Sequence, residues 1–151
     1  MKSQFLSHSA KETKDFAKNL ARQILLKSPK EKYAFVLGLE GELGAGKTSF
    51  VQGFAKGLGV KEKVLSPTFL IMRKYQIPNT RYLYHVDCYR LKGAQELLAL
   101  GWKAIVADPR NIVVVEWADK VKSIIPKDAL WLTFSHTGKT KRTLSFVGTI
   151  C

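Results

Sequence analysis

The stretch Gly41-Glu42-Leu43-Gly44-Ala45-Gly46-Lys47-Thr48 spells G-x-x-x-x-G-K-[ST], and each residue type in it has work that other chemistry does not require. Glycines leave room for successive backbone N–H groups to turn inward on a polyphosphate, and a helix beginning near Lys47 points its positive end at the same anion. Lys47 is placed to reach the β- and γ-phosphates of a nucleotide and the Thr48 hydroxyl to hold Mg2+, with Ser49 next in the helix. Such a loop needs a buried strand before it and a helix after it. Upstream, Tyr33 to Leu39 reads YAFVLGL, an apolar run of strand length. Downstream, Ser49 to Leu58 reads SFVQGFAKGL, with Phe50, Phe54 and Leu58 at helical spacing and Gly59 as a stop. This context predicts a nucleotide cradle rather than a glycine-rich turn without a ligand.

A second Gly-Lys-Thr, Gly138 to Thr140, lacks the rest of the motif, since Thr133 stands where the first glycine belongs. Its flanks, WLTFS and RTLSF, alternate as strands do, so Thr137-Gly138-Lys139 reads as the tip of a hairpin.

With 151 residues, 46% of them hydrophobic, the chain has the size of one domain with a real core, and residues 1–151 are expected to form a single domain around the P-loop. No run approaches the eighteen apolar residues of a membrane span, and MKSQFLSHSAKE lacks the apolar stretch of a secretion signal, so a cytoplasmic, membrane-free location is expected. Cys88 and Cys151 are too few and too far apart in sequence for a disulfide framework or a zinc site, and read as free thiols. His8, His85 and His136 show no metal-ligand spacing. Lysine and arginine number 25 against 12 acids, a formal charge of +13. One nucleotide does not require that surplus, which points to RNA or an acidic protein surface, or else to solubility alone. Lys11, Lys14, Lys18, Lys27, Lys30 and Lys32 are spread out rather than gathered into one tract, and no aromatic-rich signature of sequence-specific RNA reading interrupts the basic residues.

Ser9 followed by Glu12 forms a capping box, and Phe16, Leu20 and Ile24 then recur at helical spacing until Lys27-Ser28-Pro29. Thr68 to Tyr75, a turn at Pro78-Asn79, and Tyr82 to Val86 read as an antiparallel pair. Gln95 to Leu100 reads as a short helix stopped by Gly101, and Asn111 to Val115 as a strand of the kind buried in parallel sheets. Trp131 to Phe134 and Arg142 to Val147 supply two more strands. The alternation predicts an α/β fold of the three-layer P-loop NTPase kind, with a mostly parallel central sheet and antiparallel additions. Nucleotide then binds outside the carboxyl ends of the strands, where Thr48, Asp87 and Glu116 share one rim.

Hydrolysis also needs an acid near the metal and a group that positions water. Val113-Val114-Val115-Glu116 has the form of an apolar strand ending in the metal-side acid, although Glu replaces the commoner Asp. Tyr84-His85-Val86-Asp87 is a less apolar version.

At this point the chain resembles the TsaE (YjeE) family of small bacterial P-loop ATPases. The resemblance rests on the loop at 41–48, then Ser66-Pro67-Thr68-Phe69, His85-Val86-Asp87-Cys88-Tyr89-Arg90-Leu91 and Val115-Glu116-Trp117, with Lys141-Arg142 before the final strand. It implies an ATPase needed to make threonylcarbamoyladenosine next to the anticodon of tRNA, working with TsaD-like and TsaB-like proteins, with ATP and Mg2+ as cofactors. By that resemblance Gly41 to Ser49 bind nucleotide with Lys47, Thr48 and Glu116 ligate Mg2+, and Asp87 is the acid required for hydrolysis. Ser66, Pro67 and Thr68 would form a switch-like segment, Trp117 would pack beside the site, and His85, Tyr89 and Arg90 belong to the same signature. Arg142 matches a basic position near the nucleotide, and the turn at Ser9 to Thr13 would border the adenine. Contact with tRNA would run through the partner complex or be direct. Glu42 stands where Asp is frequent, a change that keeps the charge.

Two other readings share the loop. A nucleoside or nucleotide kinase would need a lid carrying several arginines, whereas Arg22, Arg73, Arg81, Arg90, Arg110 and Arg142 are dispersed. A nucleotide-gated assembly module would bind ATP without needing its hydrolysis.

Overall fold

A computed structural model describes residues 2–26, 32–41, 46–67, 70–79, 81–136, 138 and 141–148. Expectations for Lys27-Ser28-Pro29, Glu42 to Ala45, Thr68-Phe69, Thr137, Lys139, Thr140 and Cys151 lie outside the described residues.

The β-branched run NIVVVE is buried at every position, and its side chains alternate between two separate cores. Ile112 and Val114 face one core while Val113 and Val115 face the other, as the twofold repeat of a strand covered on both sides dictates. The chain runs β1 (Lys2–Ser7), α1 (Ala10–Leu26), β2 (Phe35–Gly41), α2 (Lys47–Leu58), β3 (Met72–Ile77), β4 (Arg81–Asp87), α3 (Ala94–Leu98), α4 (Trp102–Ala107) and β5 (Asn111–Glu116). A 3-10 helix (Ala118–Ile124), β6 (Leu130–His136) and β7 (Arg142–Val147) follow. The seven strands form one sheet in the order β1-β7-β6-β2-β5-β4-β3. β6, β2, β5 and β4 are mutually parallel, and β3 on one edge and β7 with β1 on the other are antiparallel additions. The expected mixed α/β architecture is thus present.

α1 and α2 cover one face, where Phe50, Phe54, Leu58, Leu20 and Ile24 pack on Leu37, Leu39, Ile112 and Val114. The other face carries α3, α4 and the 3-10 helix over Val36, Val86, Val113 and Val115. The two helices of the first layer touch backbone to backbone. A Cβ on Gly53 would come within 2.3 Å of the Lys14 carbonyl oxygen, and one on Gly57 within 2.4 Å of the Lys18 carbonyl oxygen. No described helix is long and apolar enough to cross a membrane.

Several boundaries differ from the sequence expectations, each for a non-local reason. β1 was not anticipated from the mixed polar KSQFLS. It exists because its backbone pairs with β7 at the far end of the chain and Phe5 stacks on Phe16 of α1. β2 begins at Phe35 rather than Tyr33 and runs on to Gly41, where β6 supplies partners up to Phe134. β3 starts at Met72, not Thr68, because Ile71 sits in the left-handed region (φ 65°) behind a turn on the Pro67 carbonyl. α3 ends at Leu98, and Gly101 (φ 91°) does more than stop it: it caps α4, which sequence reading missed. Trp102 anchors α4 by burial and by donating its indole N–H to the Ile124 carbonyl at 3.0 Å. At the start of α1, Ser9 Oγ accepts the Glu12 amide as a capping box requires, but the Glu12 carboxylate accepts the amide of His8 rather than that of Ser9.

Candidate active site

The parallel register puts Asp87 and Glu116 side by side at the carboxyl ends of β4 and β5, with Leu39 of β2 opposite Glu116. α2 begins at the same rim with Lys47, after Gly46 in the left-handed conformation (φ 98°) that a side chain would strain. At the other end of the loop Gly41 (φ 137°) lies so close to β6 that a Cβ would meet the Phe134 carbonyl oxygen at 2.3 Å. The cradle between them, Glu42, Leu43, Gly44 and Ala45, belongs to the undescribed residues.

Lys47 is buried, and its Nζ donates to the Gly41 carbonyl at 2.6 Å while lying 4.1 Å from the centre of the Trp117 ring. Burial pushes its ammonium pKa down, and the carboxylates of Glu116, Asp119 and Asp87 oppose that shift. Thr48 follows, exposed, with Ser49 half-buried behind it in the first turn. The two carboxylates are both buried, Glu116 at 4% and Asp87 at 8% exposure. Burial raises the Asp87 pKa, the Tyr89 amide hydrogen bond works against this, and the Glu116 charge adds to it. Asp87 Oδ1 accepts that amide at 2.9 Å, and Oδ2 faces the Ser66 hydroxyl at 3.5 Å.

His85 and Glu116 meet at 2.5 Å through Nε2 and Oε2, while the buried Nδ1 of His85 has no partner among the described residues. An Nε2–H donating to the carboxylate leaves Nδ1 as a lone-pair acceptor, the less costly group to leave unmet. His85 therefore holds one oxygen of Glu116 in place. Pro67 is buried, and its carbonyl accepts the amides of Leu70 and Ile71; the Ile71 carbonyl in turn accepts the Asp87 amide at 2.8 Å. The segment after Ser66 is thereby tied directly to the rim acid. Thr68 lies outside the described residues.

Trp117 carries left-handed backbone angles (φ 57°, ψ 40°), uncommon for a bulky residue. That turn lays its ring between the Lys47 ammonium and the Tyr89 ring, which stacks on it at 5.0 Å. Tyr89 and Arg90 are exposed beside the site, and Lys120 donates to the Tyr89 carbonyl. Arg142, at the start of β7, comes within about 4 Å of where a Gly46 side chain would sit. Ser7 and Thr13 are buried with their hydroxyls 2.7 Å apart, and both donate to the carbonyl of the exposed Ser9. The contributions of Asp119 and Lys120 escaped sequence reading, because nothing in ADKVKSI announces a 3-10 turn folding back on the rim. The His85–Glu116 contact escaped it because 31 residues separate the pair.

Among the described residues no three His, Cys, Asp or Glu side chains form a self-sufficient metal cage. Thr48, in the first turn of α2, and Glu116, at the end of β5, are the oxygen-bearing side chains of this rim that could hold a cation together with phosphate oxygens. Cys88 is not a candidate nucleophile, since burial pushes its thiol up to about 12.

A family model described as threonylcarbamoyl adenosine biosynthesis protein TsaE matches residues 7–144. The tRNA threonylcarbamoyladenosine biosynthesis protein TsaE of Bacillus subtilis is 39% identical over 111 residues, covering 74% of this chain and 68% of the relative. Its counterpart in Rickettsia bellii is 33% identical over 143 residues, covering 94% and 92%. The crystal structure of Bacillus subtilis YdiB superposes with a TM-score of 0.71 at 32% identity, over 97% of this chain and 84% of that one.

Proposed function

The chain belongs to the TsaE family of tRNA threonylcarbamoyladenosine biosynthesis proteins, and on that premise we propose that it is a Mg2+-dependent ATPase of slow intrinsic turnover. Its hydrolysis supports repeated cycles of a complex with TsaD-like and TsaB-like proteins. The observation that carries this reading is the rim itself: a buried lysine at a helix N-terminus faces two buried carboxylates on neighbouring parallel strands.

In this reading Lys47 leaves the Gly41 carbonyl for the β- and γ-phosphates. The exchange conserves a charge-assisted hydrogen bond and swaps a neutral acceptor for an anionic one. Thr48 and Glu116 hold Mg2+, which supplies charge neutralisation on the phosphate oxygens. His85 fixes the orientation of Glu116. Asp87, whose raised proton affinity suits an acceptor, orients the attacking water, and the Tyr89 amide keeps its carboxylate from swinging. Arg142 borders the loop from the β7 side and adds positive charge where the phosphates gather. A kinase lid finds little support, because Arg81 and Arg110 stand at the ends of β4 and β5 away from the rim and Arg110 is held by Asp108 at 2.9 Å.

Product identification tests the reading. ATP incubated with the chain should yield ADP and inorganic phosphate, and Lys47→Ala should abolish both nucleotide binding and product. Phosphoryl transfer to an added nucleoside would contradict it, as would undiminished hydrolysis by Lys47→Ala.

A further inference from the structure

The lysines dispersed in sequence are gathered by the fold. Because Gly53 and Gly57 carry no side chains, α1 lies directly against α2, with Lys14 beside Gly53 and Lys18 beside Gly57. Lys11, Lys14 and Lys18 recur at spacings of three and four, one stripe along α1. Across the seam Gln52 and Lys56 form the matching row of α2, and the segment after Gly59 brings Lys61, Glu62 and Lys63 around the end of the helix. The result is a surface cleft of about 460 Å³ lined by Lys14, Lys56, Lys61 and Lys63 with Gln52 and Glu62, its apolar part confined to Val60 and Val64.

We propose that this cleft is a binding site for the phosphodiester backbone of tRNA, separate from the nucleotide site. Lys56 is nine residues beyond Lys47, about 14 Å along α2 at the helical rise, so the cleft is not part of the phosphate loop. All four lysines are exposed and make no ion pair or hydrogen bond among the described residues, and Glu62 is the single carboxylate in the lining. Four unpaired ammonium groups around one concavity repel one another unless an anion with several charges joins them. Lysine is a point charge that suits phosphate oxygens without demanding a planar partner. An acidic protein partner would ordinarily add an aromatic or large apolar anchor, and the lining offers only the two valines, Val60 and Val64, against four lysines. The absence of aromatic rings there also limits the contact to the backbone rather than the bases. The choice of tRNA rests on the function proposed above, whereas the binding itself is measurable without ATP hydrolysis.

The test is fluorescence anisotropy of a labelled unmodified tRNA transcript, titrated with the full chain at several salt concentrations. The parent is compared with a variant carrying Lys14→Gln, Lys56→Gln, Lys61→Gln and Lys63→Gln, and with a charge-matched control carrying Lys32→Gln, Lys92→Gln, Lys103→Gln and Lys127→Gln. The cleft variant should bind at least about ten-fold more weakly, with the slope of log K against log salt shallower by roughly one for each lost contact, while the control stays close to the parent. Equal losses in both variants would overturn the proposal, reducing the effect to net charge. So would the absence of tRNA binding by the parent at low salt, or cleft-dependent capture of poly-glutamate in place of tRNA. ATP binding measured on the same cleft variant should match the parent, so a failed ATPase reading and a failed cleft leave different signatures.

Discussion

Asp87 is the residue whose chemistry and stability pull in opposite directions. Burial raises its pKa above the ordinary 3.8, so the fold accommodates the neutral carboxyl better than the carboxylate. The sign follows: its contribution to stability is fully present below the unfolded value and is lost as pH rises through the folded value. Asp87→Asn, a neutral isostere that can still accept the Tyr89 amide, should therefore melt higher than the parent at pH 7. The gap should close as the pH falls toward 4, as thermal melts across that range would show. The same variant should lose about 10²-fold or more in ATP turnover while keeping most of its nucleotide affinity. A lower melting temperature at pH 7 would mean that the carboxylate's hydrogen bonds outweigh its desolvation. At this scale the sequence was legible where chemistry is local: Lys47 and Thr48 close a contiguous motif, and Asp87 and Glu116 each end an apolar strand. It was illegible where the site depends on contacts across the chain, as in the His85–Glu116 pair, or on a backbone choice such as the left-handed turn at Trp117.

Among the elements, α1 and α2 meet along a seam that shapes the lysine cleft and packs the helix that begins at Lys47. A helix-interior glycine ordinarily costs about 1 kcal/mol relative to alanine, so the propensity argument alone favours Gly53→Ala. The geometry reverses it. The new methyl would press on the Lys14 carbonyl at 2.3 Å, a backbone atom that cannot rotate away. Overpacking of this kind costs about 1–3 kcal/mol, and about 2–4 °C of melting temperature accompanies each kcal/mol in larger domains. Gly53→Ala should thus lower Tm measurably, and an unchanged or raised Tm would show that the helices can slide apart without penalty. α1, α2, β5 and β7 were readable because capping, helical spacing and β-branched runs are local signals. β1 and α4 were not, since one is created by pairing with the opposite end of the chain and the other by the burial of Trp102.

For the whole molecule, the sheet order brings the first and last strands together and leaves the four parallel strands in the middle, so the rim lies where α2 begins. The surplus of positive charge, ambiguous as a composition, becomes partly a place: a cleft on the α1–α2 layer, one to three helical turns from the nucleotide rim. Both features bear on the proposed role in a tRNA-modifying cycle. The central claim is that the phosphate loop drives repeated rounds of that cycle. It is tested most directly by tRNA threonylcarbamoylation followed over many turnovers, with TsaD-like and TsaB-like partners, preformed threonylcarbamoyl-adenylate and ATP, adding either the parent chain or Lys47→Ala. The account predicts sustained product formation with the parent and a halt after about one round with the variant, whereas equal sustained turnover with both, or with neither added, would contradict it.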